Sequence, residues 1–202
     1  MLRLYDYLSS GNAYKVRVLL AQLGTPFEPI ELDVTKGETR TPSFLAKNPN
    51  GRIPVLELES GELLPESNAI LWYLAEGTAF LPAERLARAQ VLQWMFFEQY
   101  SHEPYIAVVR FLVTHDIALA DWQRAALEDR RRQGYAALGV METHLRARKF
   151  FVAEQYTIAD IALYAYTHVA GEGGFDLAPY PSVVAWLDRV RSQSAHVPIT
   201  AG

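Results

Sequence analysis

Gly51-Arg52-Ile53-Pro54-Val55-Leu56, followed by Pro65-Glu66-Ser67-Asn68-Ala69-Ile70, is the stretch from which the rest of the chain can be read. Val55, Leu56 and Leu58 form an apolar run suited to a buried strand, and Pro54 stands at its entrance. Proline cannot donate to a ladder, and an X-Pro bond is the only kind that becomes cis at low cost. A cis Ile53-Pro54 bond is therefore expected, with the Ile53 N–H and C=O turned toward an extended, peptide-like ligand. Downstream, Glu66-Ser67 opens the apolar helical run Ile70-Leu71-Trp72-Tyr73-Leu74. A hydroxyl and exposed N–H groups at a helix N-terminus hold a carboxylate, and the adjacent Glu66 is placed to hold an ammonium. A reader for a peptide bond thus adjoins a reader for an α-amino-acid zwitterion.

Glutathione has both features. Taken singly, an X-Pro before a strand is a turn and a serine before a helix is a cap; the order and spacing carry the reading. Asn48-Pro49-Asn50-Gly51-Arg52-Ile53-Pro54-Val55-Leu56 with Glu66-Ser67-Asn68-Ala69-Ile70 resembles the NPxGxxPxL…ESxAI pattern of the cytosolic glutathione S-transferases, in its bacterial, theta-, delta- and nu-like serine-type form. The resemblance runs along the whole chain. It implies an α/β N-terminal thioredoxin-like domain, βαβαββα, over residues 1–78, and an all-α C-terminal helical domain over 85–202.

The residues by themselves trace the same order. Met1 to Tyr7 alternates in part and ends at the turn cluster Ser9-Ser10-Gly11-Asn12. Tyr14 to Leu23 is helical in spacing, with Gly24 as its stop. Phe27 to Val34 reads as a strand, Ser43 to Lys47 as a short helix, and Val55–Leu58 with Leu63–Leu64 as a hairpin about Ser60-Gly61. After Pro82 strand signals vanish. Arg85 to about His115 predicts a long helix interrupted at Pro104, and Asp121 predicts the cap of a second reaching Leu145. Thr157-Ile158-Ala159-Asp160 has capping-box spacing ahead of the apolar run to Val169, and Ala185 to Val190 suggests a last helix. The resemblance makes the capping box structural.

Composition narrows the function classes. The chain has 202 residues, half of them hydrophobic, enough for a buried core in one domain or two small ones. A net charge of −4 argues against nucleic acid as partner. The one basic cluster, Arg130-Arg131-Arg132, is offset by Glu128-Asp129. No run reaches the length of a membrane span and the first residues have strand character, so no membrane partner and a cytoplasmic location are expected. The chain contains no cysteine, which excludes disulfides, thiolate metal sites and a protein-thiol nucleophile. The mixed-disulfide chemistry of omega- and beta-class relatives is thereby closed to it. The five histidines show no metal-ligand spacing, and no metal is expected.

Chemistry on glutathione requires its thiol to ionise. A free thiol titrates near ~8.5, and lowering that by two units takes roughly 2.7 kcal/mol of preferential thiolate stabilisation. A hydroxyl donor at a helix N-terminus supplies such stabilisation. The loop after the first strand offers Ser10, at the position of the catalytic serine in theta- and delta-like transferases, and Asn12, where some bacterial transferases place an asparagine against the sulfur. Tyr5 and Tyr7 are rival donors, ranked behind them. The glycyl-end histidine of the resembling classes is replaced by Thr39, leaving Thr39, Lys36, Arg40 or Arg52 to meet that carboxylate. The glutathione-binding set is then Arg52, Ile53, Pro54, Glu66, Ser67 and Thr39. Candidates for an electrophile pocket are His102, Tyr105, Ile106, Val109 and Tyr166, with Arg110, although aromatic and apolar residues at helical spacing are more often core.

The leading expectation is a transferase that uses glutathione as co-substrate and presents its thiolate to an electrophile or an organic hydroperoxide, a detoxification chemistry. A maleylacetoacetate isomerase-like enzyme is an alternative, weakened because its Ser-Ser-Cys loop matches Ser10-Gly11-Asn12 without the cysteine. A non-catalytic protein of the same fold is another, weakened by the retained Ser10, Ile53-Pro54 and Glu66-Ser67. Trp72, Trp94, Phe96 and Phe97 exceed what one helical stripe hides, so a homodimer is expected.

Overall fold

The computed structural model describes residues 1–115 and 120–201, with only the backbone of 121–125. The chain forms two compact units, one of Met1–Thr78 together with the chain from Ser194 onward, the other of Ala79–Gln193. The segment from Ser194, which the sequence placed in the second domain, groups with the first.

The first unit runs β1 (Leu2–Asp6), α1 (Gly11–Leu23), β2 (Phe27–Glu31), two 3₁₀ turns (Val34–Lys36 and Glu38–Arg40), α2 (Pro42–Leu45), β3 (Val55–Glu57), β4 (Leu63–Pro65) and α3 (Ser67–Ala75). The sheet order is β2-β1-β3-β4, with β1 parallel to β2 and antiparallel to β3, and β3 antiparallel to β4. The order βαβαββα is thus present, and the family-level expectation of a thioredoxin-like domain holds. Leu4, Val16, Leu20, Leu56 and Ile70 pack on one face of the sheet, and Tyr5, Phe44 and Val55 on the other. That split follows from strand alternation, neighbours in sequence pointing to opposite faces.

Local chemistry sets the element ends. Gly24 closes α1 at φ 63°, a left-handed conformation that glycine adopts without Cβ conflict. β2 stops at Glu31, short of the expected Val34. The Leu32 N–H goes to the Asp6 carbonyl at 2.8 Å, and the Asp33 carboxylate then accepts from the Thr35 and Lys36 amides to start a 3₁₀ turn. The end of the chain is tied to α1: the Tyr14 hydroxyl donates to the Val197 carbonyl at 2.7 Å. Arg17 donates to the carbonyls of Leu8 (2.7 Å) and Ile199 (2.9 Å) and pairs with buried Asp6 at 2.5 Å.

The second unit is helical: α4 (Arg85–Phe97), a π turn (Glu98–His102), α5 (Glu103–Thr114), α6 (Asp121–Leu145), α7 (Ile158–Thr167) and α8 (Pro181–Arg191). The helix expected over 85–115 is divided by the π turn. Pro104 falls in the first turn of α5, directly after the π turn, a helical position that tolerates proline. α6 begins at Asp121; the expected cap by its side chain lies outside the described residues. Trp94 and Phe97 are absorbed by their own unit, Trp94 packing on Phe97, His144 and Phe151 with ring centroids 5.2, 4.6 and 4.6 Å away. Of the four aromatic residues singled out for surface association, only Phe96 is exposed, at 69%, with Tyr100 beside it at 83%.

α7 is buried along its whole length. Its start is held by the capping box, in which the Thr157 hydroxyl accepts from the helix backbone and Asp160 reaches back to the Thr157 amide at 2.9 Å. The other oxygen of Asp160 accepts from the Trp186 indole N–H (2.9 Å) and the Phe151 amide (3.2 Å). Burial pushes the Asp160 carboxyl up to about 6, against the pull of these donated bonds.

Two outcomes follow for Asp160. Asp160→Ala strands three buried N–H donors and should lower the unfolding free energy by about 3 kcal/mol or more, as read by urea denaturation at pH 7. The folded carboxyl titrates near 6 and the ordinary value is 3.8, so the folded state holds the proton more tightly. This contribution is fully present below the unfolded value and is lost as the pH rises through the folded one. The stability gap between wild type and Asp160→Ala should therefore be wider at pH 5 than at pH 7, by about 1 kcal/mol.

Candidate functional site

Ser10 ends the loop after β1. Its amide donates to the Tyr7 carbonyl at 2.7 Å and its backbone is extended, with φ −73° and ψ 119°. Its hydroxyl oxygen accepts from the Ala13 amide at 3.3 Å, making it the N-cap of α1. A cap uses a lone pair and leaves the O–H available to a ligand. Asn12 is the second residue of the same helix. Its Oδ1 accepts from the Lys15 ammonium at 2.8 Å and from the Ser67 hydroxyl at 3.3 Å, and Lys15 also donates to Ser67 at 3.3 Å. The two ends of the expected site, the sulfur-side loop and the zwitterion-side helix, are thus hydrogen-bonded to each other.

Glu66 and Ser67 differ in setting. Glu66 has φ 73° and ψ 109°, a left-handed conformation for a residue with a Cβ, and its exposed carboxylate makes no capping bond to α3. Such a conformation costs on the order of 1–3 kcal/mol and concentrates at ligand-binding positions. Its carbonyl accepts from the Ile70 amide at 2.9 Å, so the helix fixes the residue while leaving the acid group outside. Ser67 is the first residue of α3 and is buried.

The Ile53-Pro54 bond is cis. Ile53 stands outside the ladder, whose register on β3 begins at Val55, opposite Tyr5 and Pro65. Arg52 is exposed, and its carbonyl accepts from the Asn48 side-chain Nδ2 at 2.8 Å. Gly51 has φ +62°, and a Cβ there would meet the Arg40 guanidinium at 2.5 Å and the Thr39 carbonyl at 3.0 Å. The Arg40 guanidinium also donates to the Asn50 carbonyl at 3.0 Å, so this arginine closes over the motif. Thr39 itself is buried in its turn. Tyr5 donates to Glu57 at 2.6 Å and packs edge-on to Phe44.

The pocket candidates separate. Ile106 and Val109 are fully buried, Tyr166 is 7% exposed, and His102 is fully buried with Nε2 2.9 Å from the Thr167 hydroxyl. Because that hydroxyl donates to the Leu163 carbonyl at 2.7 Å, the histidine Nε2 is the donor in the pair. These four side chains have little or no exposed surface. Arg110 pairs with Glu172 at 2.7 Å. Tyr105 alone among the five keeps a half-exposed side chain.

Lys15 was not singled out from the sequence, because a lysine in an amphipathic helix ordinarily reads as solvent-facing. It is fully buried. A signal existed: Asn12 and Lys15, spaced i and i+3, share one helix face. Among the described residues, no group of three or more histidine or acidic side chains is arranged to hold a metal ion. No helix among them is long and apolar enough to cross a membrane.

Comparison with known proteins fits this geometry. Residues 1–76 match the glutathione S-transferase N-terminal domain and residues 105–194 its C-terminal domain. A crystal structure of a glutathione S-transferase from Pseudomonas fluorescens superposes with a TM-score of 0.96 at 54% identity, covering 99% of each chain. Glutathione S-transferase 3 of Zea mays is 32% identical over 96% of this chain and 90% of its own length. The disulfide-bond oxidoreductase YfcG of Escherichia coli is 32% identical over 96% and 92%. With both domain models matched and relatives similar along nearly their full length, the chain belongs to the glutathione S-transferase family.

Proposed function

We propose that the chain is a glutathione transferase that binds glutathione along Ile53–Ser67 and holds its sulfur as thiolate beside Ser10 and Asn12. The observation that carries this reading is the meeting of Asn12 with Ser67 through Lys15. It joins a donor-bearing helix start to a strained acid and a buried serine at a second helix start. Glu66 pairs with the γ-glutamyl ammonium, and Ser67 with the α3 amides holds its carboxylate. The Ile53 backbone pairs with the cysteinyl moiety, next to Pro54. At the glycyl end Arg52 supplies the exposed cation, with Thr39 behind it in the adjoining turn. Ser10 and Asn12 donate to sulfur, favouring thiolate over thiol.

The thiolate attacks an electrophilic carbon, or the outer oxygen of an organic hydroperoxide with release of the alcohol. Of the five candidates for an electrophile pocket, Tyr105 is the one that retains surface. Reduction of a disulfide at the same site is a second reading, supported by the name of the E. coli relative; with no cysteine in the chain, the attacking sulfur would be glutathione's own. The exposed Phe96 and Tyr100, one turn apart, support association into a homodimer, to be read as a dimer mass by light scattering at micromolar concentration that falls on dilution.

Calorimetry with glutathione and rate measurements with a panel of electrophiles, hydroperoxides and disulfides test the reading. Wild type should bind glutathione, and Ser67→Ala or Glu66→Ala should weaken that binding by roughly 1–3 kcal/mol. Unchanged affinity in both variants would reduce Glu66-Ser67 to a helix start without a ligand. Ser10→Ala should leave affinity nearly intact, raise the pKa of the bound thiol and slow turnover about ten- to a hundredfold. If instead Asn12→Ala moves that pKa and Ser10→Ala does not, Asn12 is the principal donor.

A further inference from the structure

α1 presents Val16 and Leu20 to the sheet core, and between its capped start and that core it buries a lysine completely. Lysine is among the residues least often buried, and is buried only where something in the structure uses the charge. Here the ammonium reaches from α1 to the first residue of α3, 2.8 Å from Asn12 Oδ1 and 3.3 Å from Ser67 Oγ.

The chemistry of these partners fixes a direction. An ammonium only donates, so the end of the Asn12 amide that meets it is the oxygen. Ser67 completes the triangle, accepting from Lys15 and donating its one proton to the same Oδ1 at 3.3 Å; once that proton is given to a ligand carboxylate, Lys15 alone holds Oδ1. The ammonium on Oδ1 sets the amide plane, and Nδ2 is carried on the opposite side. With Lys15 removed, nothing in this triangle distinguishes the two ends of the amide, and a flip would turn an acceptor toward an approaching anion.

We propose that Lys15 is a positioning residue of the glutathione site: its buried ammonium holds the oxygen of Asn12 and Ser67 on one side, so that Asn12 Nδ2 is presented to the sulfur of bound glutathione. The inference rests on the reading above, in which sulfur lies by Asn12 and the γ-glutamyl carboxylate by Ser67. It makes the two ends of the ligand site one network, in which the cation that supports the carboxylate reader also orients the thiolate donor.

The test titrates the thiolate absorbance of bound glutathione and measures the affinity of S-methylglutathione, which has no ionisable sulfur, for the full chain. Lys15→Met keeps the apolar stem and removes the charge. It should raise the bound-thiol pKa by about one unit or more, while any loss of affinity through Ser67 falls equally on glutathione and S-methylglutathione. In an Asn12→Ala background, Lys15→Met should add little further shift, because its route runs through Asn12. Asn12→Asp keeps a partner for Lys15 but replaces the Nδ2 donor by an acceptor, and should raise the pKa at least as far; it carries the test if Lys15→Met does not fold. An unmoved pKa in a glutathione-binding Lys15→Met or Asn12→Asp variant overturns the inference, as does a full shift from Lys15→Met when Asn12 is already alanine. Failure of wild type to bind either ligand overturns the functional reading itself, and this inference with it.

Discussion

The contact of Lys15 with Asn12 and Ser67 holds the starts of α1 and α3 to each other, and the candidate site depends on it. Each helix start is held in its own way, α1 by Ser10 and α3 by the carbonyl of Glu66. Packing of Val16, Leu20 and Ile70 on Leu4 and Leu56 brings the two helices onto one sheet face. Apolar packing is non-directional, so it sets that proximity without setting how the polar groups at the helix starts face. The hydrogen-bonded triangle sets the facing. A buried ammonium is costly unless its donors are used, and this is the device that gives the site its orientation.

Strain and packing are distributed in the same sense. The unfavourable conformation at Glu66 and the glycine-only position at Gly51 both fall within the stretch from 51 to 67. The regular parts of the fold are satisfied: Gly24 stops α1, Asp33 caps its turn, and Thr157 with Asp160 caps α7. Ala153, Glu154 and Ala195 also take positive φ, so strain by itself does not single out this stretch; what does is that its strained acid adjoins a buried serine at the start of α3.

That division explains what was legible beforehand. The order of strands and helices followed from apolar periodicity, and the helix stops from Gly24 and the capping box, since these are local signals. β2 came out shorter because its partner β1 ends at Asp6, which gives the last rung to Leu32 before Asp33 caps a 3₁₀ turn. The long helix divided because a π turn precedes Pro104, and no local pattern announces a π turn. The tail from Ser194 joined the first unit through Tyr14 and Arg17, contacts about 180 residues apart in sequence. Periodicity cannot report such separations.

The candidate site was easier to read from its loops and helix starts than from helix interiors, for one physical reason. At Gly51 and Ser10 the residue type is tied to backbone conformation, so composition betrays geometry; Glu66, at φ 73°, is not such a case. Inside a helix every residue has the same backbone, and its neighbours decide its role. His102, Ile106, Val109 and Tyr166 had the spacing of a pocket and of a core alike, and all four are buried. Lys15 is the converse case, a residue with the composition of a surface position that tertiary packing carried inward. The pairing of Asn12 with Lys15 at i and i+3 is the one local trace of it. An amide whose oxygen is claimed by a cation has only one way to face, and a lysine three residues after a polar N-terminal loop is a candidate for that role wherever the adjacent helix face is apolar.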